Sequence, residues 1–409
     1  MTMKIRTIVA TVTAAYPRPD GTIWETNGFD AATGIYAHLP VDWKLTPPKP
    51  THGMLVAALR AIWKPWSKYL FASDHDRAAM LAAIFSAVCR PALETAPGFF
   101  FDAPTQASGK TKCAGAVGAL ATGERNGAMP FVAGSGAEAE TVKKLVAMAL
   151  SGAMFWLIDN VVGTWRSAVV ASLITDGKIN ERLLGGNSWF RGSVRMLVTA
   201  TGNNATLDRD LGRRLIRVRI DPKVECPQSR SFTFDPIDEV LRTRDEIVRA
   251  ALTVIRGFVN AGAPQAGRGD AGFRDWNFLI RNSIIWVGST GLATDAEIGI
   301  LGDPAHSIME ASAGDDPDTA ALKMLLSGLH QAFMNIAFSA KEVLREYERI
   351  GADNLIRDSV TAFLGRGDHN AIAIGKMLQY RRDRITASLV LRHDGTDRNG
   401  TARWRVEHA

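Results

Sequence analysis

The residues of this chain best equipped for chemistry lie in one run, Asp102-Ala103-Pro104-Thr105-Gln106-Ala107-Ser108-Gly109-Lys110-Thr111. An apolar triplet, Phe99-Phe100-Phe101, precedes it, and small and aliphatic residues from Ala114 to Leu120 follow. A strand, a tight loop ending in Gly-Lys-Thr and then a helix is the setting in which a phosphate-binding loop works. Its backbone N–H groups and the helix N-terminus cradle phosphate oxygens. Pro104, Thr105, Gln106, Ala107, Ser108, Gly109, Lys110, Thr111 and Lys112 are therefore the candidate nucleotide-binding residues. Lys110 would reach the outer phosphates of a nucleoside triphosphate, and the Thr111 hydroxyl would hold Mg2+. Against the pattern G-x-x-x-x-G-K-[ST], Pro104 replaces the first glycine. It fixes φ at the entry turn but has no N–H to offer.

Three downstream segments complete a candidate site. Phe155-Trp156-Leu157-Ile158-Asp159-Asn160 reads as a buried strand ending in a carboxylate about 50 positions after Lys110, the place for a metal-orienting Asp on a strand adjacent to the loop's own. Asn160 stands where a second acid would polarise the attacking water; an amide positions water but cannot take its proton. Arg195–Thr201 reads as another strand, ending in Gly202-Asn203-Asn204. Asn203 is the candidate for contacting the γ-phosphate or the attacking water, with Asn204 as the alternative and a plain asparagine turn as the bland reading. Arg213 and Arg214, in Asp208-Arg209-Asp210-Leu211-Gly212-Arg213-Arg214-Leu215, would lie at a subunit edge. From there an arginine reaches a neighbour's γ-phosphate, an effect of ~10³–10⁵-fold in phosphoryl transfer. A surface Arg–Asp network is the competing reading.

Between the second and third strands, Arg182–Gly192 carries Gly-Gly-Asn and then Trp189, Phe190 and Arg191. Aromatics beside a cation at a hairpin tip suit single-stranded nucleic acid, whose bases stack at ~1–3 kcal/mol each. Both aromatics serve equally well as core residues.

Positioning these groups requires strands alternating with helices from Phe99 to Asp221, which predicts a parallel α/β sheet with helices on both faces. Residues 1–60 read as an extended, β-prone segment giving way to helix, 61–230 as the core and 231–337 as an all-α lid. Residues 338–409 read as a winged-helix-like module. Ser339-Ala340-Lys341-Glu342 is a capping box. Helices near Leu355–Leu364 and Ala371–Tyr380 follow it, and then two β-prone runs. In the second run Ala402, Trp404 and Val406 alternate with Arg403 and Arg405, giving one apolar and one basic face. Across residues 371–409 there are eight Lys/Arg against four Asp/Glu. Lys376, Arg381, Arg382, Arg403 and Arg405 are candidate DNA phosphate contacts, with a solvated surface as the alternative.

The chain has 409 residues, 46% hydrophobic and 22% charged, a composition that supports more than one well-cored domain. Its net charge of +6 permits a nucleic-acid partner without requiring one. No long apolar run predicts a membrane span and the first residues lack a secretory signal, so a cytoplasmic location is expected. Cys89, Cys113 and Cys226 have no metal-ligand spacing and read as reduced thiols.

Taken in order, these motifs resemble the AAA+ ATPases of prophage and mobile-element replication proteins, and are similar to superfamily-3 and related hexameric helicases. Asp102–Thr111, Leu157–Asn160, Ala200–Asn204 and Asp210–Arg214 carry the resemblance. Ala250–Arg256, Trp276–Gly288 and the N-terminal Gly28–Gly34 extend it over most of the chain. The resemblance implies an ATP-dependent DNA helicase working as a homo-oligomeric, hexameric ring, with a primase or polymerase as a separate partner. It implies Lys110 and Thr111 on phosphate and Mg2+, Asp159 on Mg2+, Asn203 as first sensor, Arg213 or Arg214 acting in trans, and Arg281 as second sensor. Ala107 stands where such proteins have glycine, so the loop there needs an adjusted φ.

Overall fold

Phe99, Phe100 and Phe101 are all fully buried, yet neighbours in this triplet face different cores, as the period of two of a strand demands. Such a strand lies inside a sheet covered on both faces. The structure, a computed structural model, describes residues 8–105, 107–182, 189–221, 234–267, 269, 271–313, 317–349, 354–365, 367, 369–398 and 400–409. The chain divides into two compact units, Met1–Ser312 and Ala313–Ala409.

The first unit opens with short strands, β1 (Ala10–Val12), β2 (Tyr16–Pro17), β3 (Ile23–Trp24), β4 (Gly28–Asp30) and β5 (Ile35–Ala37). They form a three-stranded sheet in the order β1-β5-β4 and a β2-β3 pair. Asp30, 1% exposed, accepts Arg18, the Tyr16 hydroxyl and the Thr33 hydroxyl. Above all the Arg18 guanidinium holds its carboxyl well below the usual carboxylate range. Helices α1 (His52–Trp63) and α2 (Asp74–Cys89) follow, capped by the Thr51 and Ser73 hydroxyls.

Strand and helix then alternate as expected: β6 (Gly98–Ala103), α3 (Lys110–Thr122), β7 (Met129–Pro130), α4 (Ala137–Leu150), β8 (Phe155–Val161), β9 (Thr164–Trp165) and α5 (Ala168–Asp176). After them come β10 (Lys178–Arg182), β11 (Trp189–Ser193), β12 (Leu197–Asn203), β13 (Thr206–Leu207), α6 (Arg209–Gly212) and β14 (Leu215–Arg219). Five strands form one sheet in the order β14-β6-β12-β8-β7, every pair parallel. One face packs Phe99, Phe101, Leu157 and Val218 with the apolar residues of α2 and α3. The other packs Phe100, Trp156, Ile158 and Val198 with those of α4 and α5.

The helices after β14 are α7 (Pro236–Asn260), α8 (Arg274–Trp276), a π-helical turn at Asn277–Arg281, α9 (Asn282–Ser289), α10 (Leu292–Asp295) and α11 (His306–Ala313). Val240, Leu252, Trp276 and Ile284 join the core that also takes Tyr16 and Ile35 from the N-terminal strands. Among the described residues, neither the 1–60 segment nor the helices beyond 231 has a core of its own within this unit.

The second unit holds α12 (Pro317–Phe333), α13 (Ala340–Glu348), α14 (Leu355–Leu364), α15 (Ala371–Arg381), β15 (Ile385–Thr386), β16 (Leu389–Thr396) and β17 (Ala402–His408). The Ser339 capping box forms as expected, with Glu342 reaching back to the Ser339 N–H at 2.7 Å. The unit begins at Ala313 and not at 338, because α12 sends Leu322, Leu325, Leu326 and Leu329 into the core of Phe338, Val360 and Trp404.

Candidate functional site

The phosphate-loop candidate leaves the C-terminal end of β6, and Gly109 caps α3 with a φ of 85°. A side chain there would press on the Tyr69 ring, 3.2 Å from the position of its Cβ, while the Tyr69 hydroxyl bonds the Gly109 carbonyl. Ala107 does adopt the left-handed region, at φ 58°. Gln106 lies outside the described residues. Thr105 Oγ1 and Ser108 Oγ are buried without a partner among the described residues. Two hydroxyls left over beside a helix N-terminus fit a ligand rich in acceptor oxygens, as a triphosphate is.

The strand order brings the predicted residues together. Lys110, 8% exposed, donates from Nζ to Asn203 Oδ1 at 2.7 Å. Burial pushes its pKa down, an effect opposed by the nearby Asp102 and Asp159 carboxylates. Thr111 Oγ1 donates to Asp159 Oδ1 at 2.8 Å, and Thr201 Oγ1 donates to the same oxygen at 2.6 Å. Thr201 in turn accepts the Asn160 N–H at 3.0 Å, holding Asn160 at a left-handed φ of 63° with its side chain exposed. Of the two amides, Asn203 meets Lys110. Asn204 turns away: its N–H goes to Asp102 Oδ1 at 2.8 Å and its Nδ2 to the Pro104 carbonyl at 3.4 Å. The strand carrying Asp159 is not the immediate neighbour of β6, contrary to the expectation from sequence; β12 lies between them. The strand carrying Asn203 thus passes directly beside the loop, and Asp159 reaches Thr111 across it.

Mg2+ is commonly held by one or two protein oxygens together with substrate phosphates and waters, and Thr111 with Asp159 supplies such a pair. Among the described residues no group of three His, Cys, Asp or Glu could hold a metal by itself.

Other candidates are placed elsewhere. Lys112 turns outward to Asp235 at 2.9 Å instead of joining the loop. Arg213 and Arg214 precede β14, whose first residue pairs with Gly98, so they lie at the end of the sheet opposite the loop. Both are bound to Asp210, and Arg214 also donates to Thr175 Oγ1 at 2.6 Å, which is the Arg–Asp network. Arg281 is 2% exposed, and its guanidinium grips Asp303 and the Gly269 carbonyl.

Strands β10 and β11 pair antiparallel, with Arg182 opposite Trp189. The turn at 183–188 lies outside the described residues. Trp189 is 55% exposed, and Arg191 stands 5.9 Å over its ring while donating to Asn180 at 3.0 Å. Phe190 packs against the core. The core reading thus holds for Phe190 and not for Trp189.

In the second unit Trp404 and Val406 are buried as the alternation required. The opposite face is largely neutralised: Arg403 pairs with Glu342 at 2.9 Å and Arg405 with Asp394 at 2.7 Å. Arg381 lies 3.5 Å over the Phe363 ring, Arg382 is 3.6 Å from Asp383, and Lys376 is exposed.

Sequence reasoning gave no role to Thr201, Asp102, Arg217 or Arg219, which the structure joins by hydrogen bonds and ion pairs at or beside the candidate residues. The last two alternate with Ile216, Val218 and Ile220 in an otherwise apolar strand, a polar stripe that the sequence does display. Asp102, 1% exposed, pairs with Arg219 and lies 4.0 Å from Arg217 Nε.

No family model matches the chain, and no curated protein matches it. Among solved structures, the apo A form of the NrS-1 C-terminal region aligns over 95% of this chain and 84% of its own, at 12% identity and a TM-score of 0.41. The JCV helicase aligns over 62% of this chain and 74% of its own, at 16% identity and a TM-score of 0.26.

Proposed function

We propose that the chain is an ATP-driven DNA translocase, a helicase of AAA+ type working as a homo-oligomeric ring. One observation carries the proposal: Lys110, Thr111, Asp159 and Asn203, from three separate segments, converge at the C-terminal ends of parallel strands beside a phosphate loop. In this reading Lys110 and the loop N–H groups bind the phosphates, and the Thr105 and Ser108 hydroxyls donate to them. Thr111 and Asp159 would hold Mg2+, which would supply positive charge to neutralise the phosphates. Asn203 leaves Lys110 for the γ-phosphate and orients the attacking water. Asn160 can position that water but cannot deprotonate it, so the proton leaves by another acceptor. Arg213 or Arg214 would have to break from Asp210 to serve a neighbouring protomer. The β10–β11 hairpin would present Trp189 and Arg191 to a single strand in the ring's pore. The second unit, read as winged-helix-like, would use Lys376 and the surface around it on duplex DNA.

A second reading, an initiator or scaffold with weak hydrolysis, draws support from Ala107 in a left-handed conformation and from the amide at 160. ATP hydrolysis with and without single-stranded DNA, beside unwinding of a forked duplex, separates the readings. The translocase is expected to show DNA-stimulated turnover and unwinding, both lost in Lys110→Ala with melting temperature preserved. Turnover that survives Lys110→Ala refutes the site. Stimulated turnover without unwinding favours the initiator, and DNA binding without turnover leaves the scaffold.

A further inference from the structure

One buried carboxylate ties together three strand ends beside the phosphate loop. Asp102, the penultimate residue of β6, accepts the Asn204 N–H on Oδ1 at 2.8 Å and Arg219 of β14 on Oδ2 at 2.5 Å. The other arm of the Arg219 guanidinium donates to Asn204 Oδ1 at 2.9 Å, closing a ring of three residues. Asn204 Nδ2 then reaches the Pro104 carbonyl, so the ring also grips the loop's first residue. Asn204 sits at φ 48°, a left-handed backbone that a non-glycine residue keeps only where its surroundings enforce it. Its immediate neighbour is Asn203, whose Oδ1 meets Lys110 Nζ. A one-residue connection leaves the Asn203 amide little freedom once the backbone of 204 is held.

We infer that Asp102 and Arg219 are positioning residues: through Asn204 they set the sensor amide of Asn203 against Lys110. The inference rests on the reading of the loop as an ATP site. The register of β14 on β6, with Arg219 opposite Asp102, delivers the guanidinium. Its planar fork matters, because it bonds a carboxylate and an amide oxygen at once; an ammonium on a flexible stem cannot hold both in one geometry. Arg219 so placed acts on the geometry of turnover more than on the grip on nucleotide.

The test compares Arg219→Ala, Arg219→Lys and Asn204→Gly in the full-length chain. The readouts are kcat and KM for ATP, affinity for a fluorescent ATP analogue, and melting temperature. Arg219→Ala is expected to lower kcat about 10- to 100-fold while KM and analogue affinity stay within about threefold. Arg219→Lys should restore part of kcat by keeping the Asp102 contact. Asn204→Gly keeps the left-handed backbone without strain but loses the side-chain bonds; it should lower kcat without lowering the melting temperature. A parallel rise in KM and loss of analogue affinity in Arg219→Ala would overturn the inference, since the arginine would then bind nucleotide itself. Wild-type kcat in all three variants would overturn it as well. A wild-type chain that neither binds the analogue nor hydrolyses ATP would instead refute the ATP-site reading, so the two failures are distinguishable.

Discussion

Asp159→Asn separates a metal ligand from a structural strut. In the structure Asp159 Oδ1 takes two hydroxyl hydrogen bonds, from Thr111 at 2.8 Å and Thr201 at 2.6 Å. A carboxamide oxygen fits the same place and accepts both, so the fold should survive. What changes is charge. A bond to an ionised acceptor contributes about 1.5–3 kcal/mol and a neutral one about 0.5–1.5, so each loses roughly 1 kcal/mol. The Thr111 bond is exposed and water compensates it, leaving a cost of about 1 kcal/mol from the half-buried Thr201 bond. For a unit of 312 residues that is a fall of about 1–2 °C in melting temperature. The chemical cost is larger. Removing one preorganised electrostatic group from a transition state costs about 2.7–4 kcal/mol, or 10²–10³ in kcat. The assay is Mg2+-dependent ATP hydrolysis by the full-length chain, beside a thermal melt of the same preparation. If turnover stays within about threefold of wild type while the melt shifts by about 1–2 °C, Asp159 merely supports two threonines, and its assignment to Mg2+ fails.

Gly118 faces the Phe155 ring, and a Cβ there would come within 2.3 Å of it. Gly118→Ala should cost about 1–3 kcal/mol, lower the melting temperature and, by pushing α3 off β8, separate Thr111 from Asp159 and slow hydrolysis; an unshifted melt contradicts the packing. Lys110 must carry its proton to hold phosphate, and burial lowers its pKa below the ordinary 10.5. Nucleotide affinity should therefore fall as pH rises through that lowered value, before an ordinary lysine titrates. Stability of the ligand-free chain should move the other way over the same window, because the unfolded chain then binds more protons than the folded one. Lys110→Met should abolish both trends in an alkaline series of binding and melting measurements. Trp189→Ala should weaken single-stranded DNA binding by about 1–3 kcal/mol in a salt-controlled titration without shifting the melt. Phe190→Ala should lower the melting temperature, because Phe190 packs on the core; equal behaviour of the two variants would count against the hairpin's division of labour.

Much of the fold and of the candidate site is legible in the sequence alone, and what is legible is local. Gly-Lys-Thr between an apolar triplet and a helix, the Ser339 capping box and the alternation about Trp404 each need only a few adjacent residues to be read. Their hydrogen bonds and burial follow from backbone period and capping chemistry alone. Lateral relations are not legible there, because strand pairing depends on chain far away in sequence. Only the tertiary fold put β12 between β6 and β8, chose Asn203 over Asn204 for Lys110, and set Arg219 opposite Asp102. It also turned Lys112 to Asp235, closed Arg281 on Asp303, and gave Arg403 and Arg405 acidic partners from other segments. Residue type tells what a side chain can bond; for a charge on a folded surface, the partner it meets is decided by register and packing.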